Sequence, residues 1–210
     1  MRRIVWALTV VAVFLTVPVT GQAQQAMSPE AARAFIEKMG QRTLNVLQAN
    51  NSPQRSADLG RLLLDAIDFD SVAMQTLGRY GRKPDSQDFR EFSTLFATYI
   101  IDLAIEKFGA LPIRGYSIAG ANQFPNGDVM INTTVSPEGG NALNTGWRVR
   151  QTGAGPKIVD ISVDGYSMVT HFNGQYADWL SKAGLAGLVT KLRSQTRNSP
   201  SLALVQQVRG

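Results

Sequence analysis

The hydrophobic period changes twice along this chain, and nothing else in the sequence constrains its fold as strongly. Up to Phe108 apolar residues recur every three or four positions, from Leu111 to Val163 they alternate, and after Gly165 the helical spacing returns. One alternating block bracketed by helical blocks predicts a segregated α+β domain.

The first helical block opens at SPEAARAFIEKM, where Ser28 supplies an N-cap, Pro29 the first helical position and Glu30 a first-turn carboxylate. Ala32, Phe35, Ile36, Met39, Thr43, Val46 and Leu47 then fall on one face. A second helix starts with the same signal at Ser52 and Pro53 and turns Leu59, Leu62, Leu63, Ala66 and Ile67 inward. Asp68 or Asp70 caps a short helix ending near Gly78, and Asp85 caps a longer one. That longer helix carries Phe89, Phe92, Phe96, Tyr99, Ile100, Leu103 and Phe108. So aromatic a stripe has two readings, a filled core or the wall of a ligand site.

The alternating block divides into four strands at its turn signals. Residues Ile113 to Ala119 form the first, and PNG at 125–127 leads to Val129, Ile131, Thr133 and Val135 on one face. PEGGN precedes Thr145, Trp147 and Val149, opposite Arg148 and Arg150; GAGP precedes Val159, Ile161 and Val163, opposite Asp160, Ser162 and Asp164. The expectation is a four-stranded antiparallel meander, covered on its apolar face by the N- and C-terminal helices. The last helical block runs from Tyr176 to Leu192 with a break at Gly184, and residues 198–210 are expected as a loosely held tail.

At the other end, Arg2 and Arg3 precede an apolar run, Ile4 to Val17, and small residues at Gly21 and Ala23. This is the pattern of a secretory signal cut after Ala23. The run is shorter than the roughly 20 apolar residues of a membrane span, and Pro18 interrupts its end. The chain thus divides into a signal peptide (1–23), a single domain (24–197) and the tail (198–210). Without Arg2 and Arg3, 19 Lys and Arg stand against 16 Asp and Glu, a net charge near +3. That is too little and too dispersed for a nucleic-acid binder. The absence of cysteine excludes disulfides, a thiol nucleophile, thiolate metal sites and a lipoprotein anchor.

Reaction chemistry does not assemble from what is left. His171 is the only histidine, with Asp160, Asp164 and Ser167 nearby in sequence. A serine triad also needs its nucleophile on a sharp strand-to-helix elbow. GYSIAG at 115–120 has one residue too many before its last glycine and runs on into another strand. DISVD and IDFD lack the ligand count of a calcium loop, and GRYGRK lacks the spacing of a phosphate loop. These residues predict a protein that is not an enzyme and holds neither metal nor cofactor.

Two segments carry more than composition. IDFDSVAMQTLGRYGRKPDSQDFREFSTLFATYIID resembles the signature of the MlaC family of periplasmic lipid carriers, the toluene-tolerance auxiliary family, in which Phe-Asp-Phe leads to Leu-Gly-Arg-Tyr and an aromatic-rich helix. Here the start is Ile67-Asp68-Phe69, followed by Leu77-Gly78-Arg79-Tyr80. The second segment, Asp164-Gly165-Tyr166-Ser167-Met168-Val169 with Gln175 and Tyr176 beyond, is similar to the family's passage from last strand to terminal helix. Pro156 stands where the family commonly has a tryptophan, and Phe172-Asn173 replaces a usual Tyr-Arg pair.

The resemblance implies an exported periplasmic carrier that shelters a phospholipid or related lipid between sheet and helices. Its implied partners are an outer-membrane complex and an inner-membrane ABC transporter. Exposing roughly 30 acyl methylenes to water costs on the order of 20 kcal/mol at ~0.8 kcal/mol each, and an apolar pocket removes most of that barrier. The expected pocket walls are Phe92, Phe96, Tyr99 and Leu103 of the aromatic helix and Ile131, Trp147, Val149, Ile161 and Val163 of the strands. A carrier of hopanoid or another lipid, and an exported adaptor that binds the transporter without a ligand, are the alternatives. A hydrolase built on His171 is the weakest.

Overall fold

The computed structural model describes residues 26–48, 53–109 and 112–209. The expected signal peptide and its cleavage site lie outside them. Four helices come first: α1 (Pro29–Gln48), α2 (Pro53–Ala66), α3 (Phe69–Leu77) and, after a 3-10 turn at Gly78–Gly81, α4 (Gln87–Phe108). The strands follow as β1 (Ile113–Gln123), β2 (Val129–Pro137), β3 (Leu143–Thr152), β4 (Gly155–Val163) and β5 (Tyr166–Ser167), then α5 (Met168–Thr196) and α6 (Ser201–Arg209). The segregated α+β order is the one the period change predicts.

Local chemistry sets most boundaries. The Ser28 hydroxyl accepts from Ala31 N at 3.1 Å, and the Asp68 carboxylate from Ser71 N at 2.9 Å. For α4 the cap is Ser86, whose Oγ accepts from Phe89 N, rather than the predicted Asp85. Gly184, at φ 64°, kinks α5 at the predicted break.

The sheet is an antiparallel meander in the order β1-β2-β3-β4-β5, one strand more than expected. Its fifth strand is created by Asp164 and Gly165, both at positive φ (48° and 85°), the conformation a two-residue hairpin turn requires. This turn pairs Tyr166 with Val163. A second departure lies in β4, where Val149 pairs with Ile158 and Arg148 with Asp160, leaving Val159 as the extra residue of a bulge. Ile158, not Val159, therefore stands in line with Ile161 and Val163.

Helix α1 crosses β1, β2 and β3, burying Ala32, Ile36 and Met39. It comes close to β1 at Gly40, where a β-carbon would lie 2.3 Å from the Tyr116 ring; the Tyr116 hydroxyl donates to the Glu37 carbonyl at 2.8 Å. The α2–α3 junction is stitched to β4 by Asp68 N donating to Ile158 O at 2.9 Å.

Residues 201–209 are not a loose tail. Val205 is fully buried in the core, and Leu204 sits over Gly60 of α2, where a β-carbon would come within 2.9 Å of its methyl. Arg209 donates to the Asp70 carboxylate and, at 2.9 Å, to Ser93 Oγ. The apolar residues of SLALV outweigh the polar composition around them and dock the segment as α6 against α2 and α4.

Candidate ligand-binding face

Strand register aligns the inner-face side chains in rows. Val129, Val149 and Ile158 form one, at 0%, 0% and 2% exposure. The next is Ile131, Trp147 and Ile161, of which only Ile131 is fully buried. Then come Thr133, Thr145 and Val163, followed by the pair Val135 and Leu143. Apart from Thr133, the side chains of these last rows are half-buried. Moving along β3 from Val149 towards Leu143, the face changes from dry core to partly accessible apolar wall. No charged residue occurs in any row, and on β1 Tyr116 stands opposite Val135.

The nine predicted wall residues separate on this gradient. Val149 and Ile131 belong to the closed part. Phe92 and Phe96 do too: their rings stack with centroids 5.3 Å apart, and Phe96 meets Phe172 of α5 edge-on at 5.3 Å. Tyr176 closes the cluster against Phe172 at 5.7 Å. Burial, and secondarily the neighbouring Tyr99, pushes the Tyr176 phenol well above its ordinary pKa, so it stays protonated. This part of the α4 stripe is filled core holding α4 to α5. Tyr99, Leu103, Trp147, Ile161 and Val163 are half-buried, the first four packed against the rim of the same core.

One polar group interrupts the apolar rows. Trp147 Nε1 donates to Thr133 Oγ1 at 2.9 Å, and the two threonine hydroxyls lie 2.6 Å apart. Sequence reading placed all three on the inner face without seeing that they join.

The segment around His171 has a structural explanation. Ser167 is the N-cap of α5: its Oγ accepts from Thr170 N at 3.1 Å and donates to Asp160 Oδ2 at 2.6 Å. Asp160 also accepts from Val169 N at 3.2 Å. Asp164 shapes the turn, and His171 is exposed with its ring edge-on to Phe172. Ser117 lies within β1, which continues through Gly120 without an elbow. Among the described residues no cluster of His, Asp or Glu could hold a metal, and no helix is long and apolar enough to cross a membrane.

Two clefts lie away from the graded face. One, of about 500 Å³, is bordered by Arg90, Thr94 and Leu95 of α4, Arg193 of α5 and Leu202 of α6. The other, of about 460 Å³, lies beside Met27, Asn126 and Arg150. Near the second, Asp128 is 1% exposed and held by Arg148 and Arg150, the two arginines that alternation sets opposite Trp147 and Val149; nothing in the sequence signals their shared partner.

What the fold defines is a helix-covered meander whose inner face is apolar and graded from closed to half-open. The chain belongs to the MlaC family: the family model described as MlaC protein matches residues 37–194, leaving α6 beyond the match. No curated protein sequence matches the chain. A phospholipid-binding protein from Ralstonia solanacearum, solved in complex with a phospholipid, shares the fold with a TM-score of 0.67 and 20% identity. The match covers 82% of this chain and 98% of that one.

Proposed function

We propose that this protein is a periplasmic phospholipid carrier that moves lipid between an outer-membrane complex and an inner-membrane ABC transporter. The observation that carries the reading is the graded inner face. A purely structural face would be closed along its length, whereas here Trp147 and Ile161 keep partial access while packed against the core, and Thr145 and Val163 of the next row are half-buried. Acyl chains laid against these side chains would bury surface that both partners otherwise expose. The lack of any charged group in the rows leaves the charged head group at the mouth, where water solvates it. Membership of the MlaC family and a structural relative that binds a phospholipid support the same reading.

Organic extraction and mass spectrometry of protein purified from the periplasm test it. A diacyl glycerophospholipid bound near one per chain is the expected result. Protein purified free of lipid from cells rich in phospholipid would favour the adaptor, and a hopanoid would favour the other-lipid carrier. N-terminal sequencing of the same material should begin at Gln24.

A further inference from the structure

The hydroxyls of Thr133 and Thr145 have a donor direction that their surroundings impose. Thr133 Oγ1 accepts the Trp147 indole proton, and Thr133 is 3% exposed, so its own proton has to find a partner inside the protein. The one at hand is Thr145 Oγ1 at 2.6 Å. With that bond made, the Thr145 proton has only the Thr133 carbonyl, at 3.5 Å, the outer limit for a hydrogen bond. Thr145 is the half-buried member of the pair, so the chain Trp147→Thr133→Thr145 ends in an under-used O–H donor on the accessible part of an otherwise apolar wall.

We propose that Thr145 is a specificity residue that donates this hydrogen bond to an ester carbonyl of a bound glycerolipid. The inference rests on the carrier reading and narrows it. Acyl chains need only apolar surface, and the half-buried Trp147 and Ile161 supply it; the ester groups of a lipid that enters tails first lie towards the next, more open row, where Thr145 stands. An ether-linked or wholly hydrocarbon lipid cannot accept the bond. It would leave a polarised donor against apolar surface, which disfavours it.

The test is competition. Protein is exchanged against excess vesicles holding equal amounts of a diacyl phosphatidylglycerol and its dialkyl ether analogue of the same chain length, and bound lipid is read by mass spectrometry. Wild type should prefer the diacyl lipid by about fivefold, the worth of one ordinary hydrogen bond. Thr145→Val should bring the ratio near one, and Thr145→Ser should keep the preference. Equal uptake of both lipids by wild type, or an unchanged ratio in Thr145→Val, overturns the role of Thr145 alone. Uptake of neither lipid by wild type overturns the carrier reading and this inference with it.

Discussion

Arg150 grips Asp128 with two nitrogens on the outer face of the sheet, Nε at 2.8 Å from Oδ1 and Nη2 at 2.9 Å from Oδ2. Arg148 adds a third contact at 2.8 Å and lays its guanidinium over the Phe124 ring, 4.5 Å from the centroid. Burial alone would raise the Asp128 pKa. Hydrogen bonds from Arg150 and Asn126 and the charges of both arginines more than offset it, leaving the carboxyl below its ordinary value.

Asp128→Asn should therefore destabilise the fold by about 3 kcal/mol, since it leaves two arginines without their shared counter-charge. Because the folded pKa is depressed, the wild-type contribution is whole above the unfolded carboxyl pKa of about 3.9 and is lost as pH falls towards the folded value. Thermal melts between pH 2.5 and 7 should show this loss below about pH 4 in wild type. The same step should be smaller in the variant; equal steps would mean the carboxylate is not selectively stabilised.

The clamp between Arg209 and Asp70 makes a second expectation concrete. Ending the chain at residue 197 removes α6 and uncovers the surfaces of α2 and α4 beneath Leu204 and Val205. At about 1.5–3 kcal/mol for each buried aliphatic side chain, the loss should be about 3 kcal/mol or more. A urea midpoint unchanged on truncation would return these residues to the status of a tail.

Asp160, Ser167 and His171 should separate structure from catalysis. Asp160→Ala and Ser167→Ala each remove part of the cap at the start of α5 and should cost about 1 kcal/mol in urea unfolding. Lipid occupancy should not change. His171→Ala should alter neither stability nor complementation of a deletion strain under outer-membrane stress. A folded His171→Ala protein that fails to complement would implicate the imidazole directly.

Much of the fold was legible because its signals are local. Ser28, Asp68 and Gly184 work within a turn of where they stand, and the alternation in β2 and β3 survives because no bulge interrupts their pairing. The bulge in β4 was invisible because Ile158 and Val159 are both apolar, so the pattern accepts either register. The role of the Asp164-Gly165 turn in starting β5 was missed by reading it only as a strand end. The site was legible as a face but not as a gradient. Which rows close depends on where helices from distant sequence lie: Phe96 is filled in by Phe172, a residue met only as a departure from the family pattern. Its neighbour Asn173 likewise acquires a purpose in the structure, donating to the Thr76 carbonyl at 2.8 Å.

That gradient makes the tryptophan experiment directional. Inserting bulk into closed core forces strain of roughly 1 to 3 kcal/mol, occasionally more, whereas a side chain directed into lipid space displaces ligand. Val149 and Ile161 both face inward, one row apart, yet Val149 is fully buried and Ile161 half-buried. Val149→Trp should lower the melting temperature by several degrees, as a loss of about 2 kcal/mol does in a domain of this size. Ile161→Trp and Val163→Trp should melt near wild type and bind less lipid. The paired readout, melting temperature against lipid per chain, locates the boundary between core and pocket. If Ile161→Trp and Val163→Trp unfold along with Val149→Trp, or bind a full complement of lipid, acyl chains do not lie against these rows and the site must be sought elsewhere on the molecule.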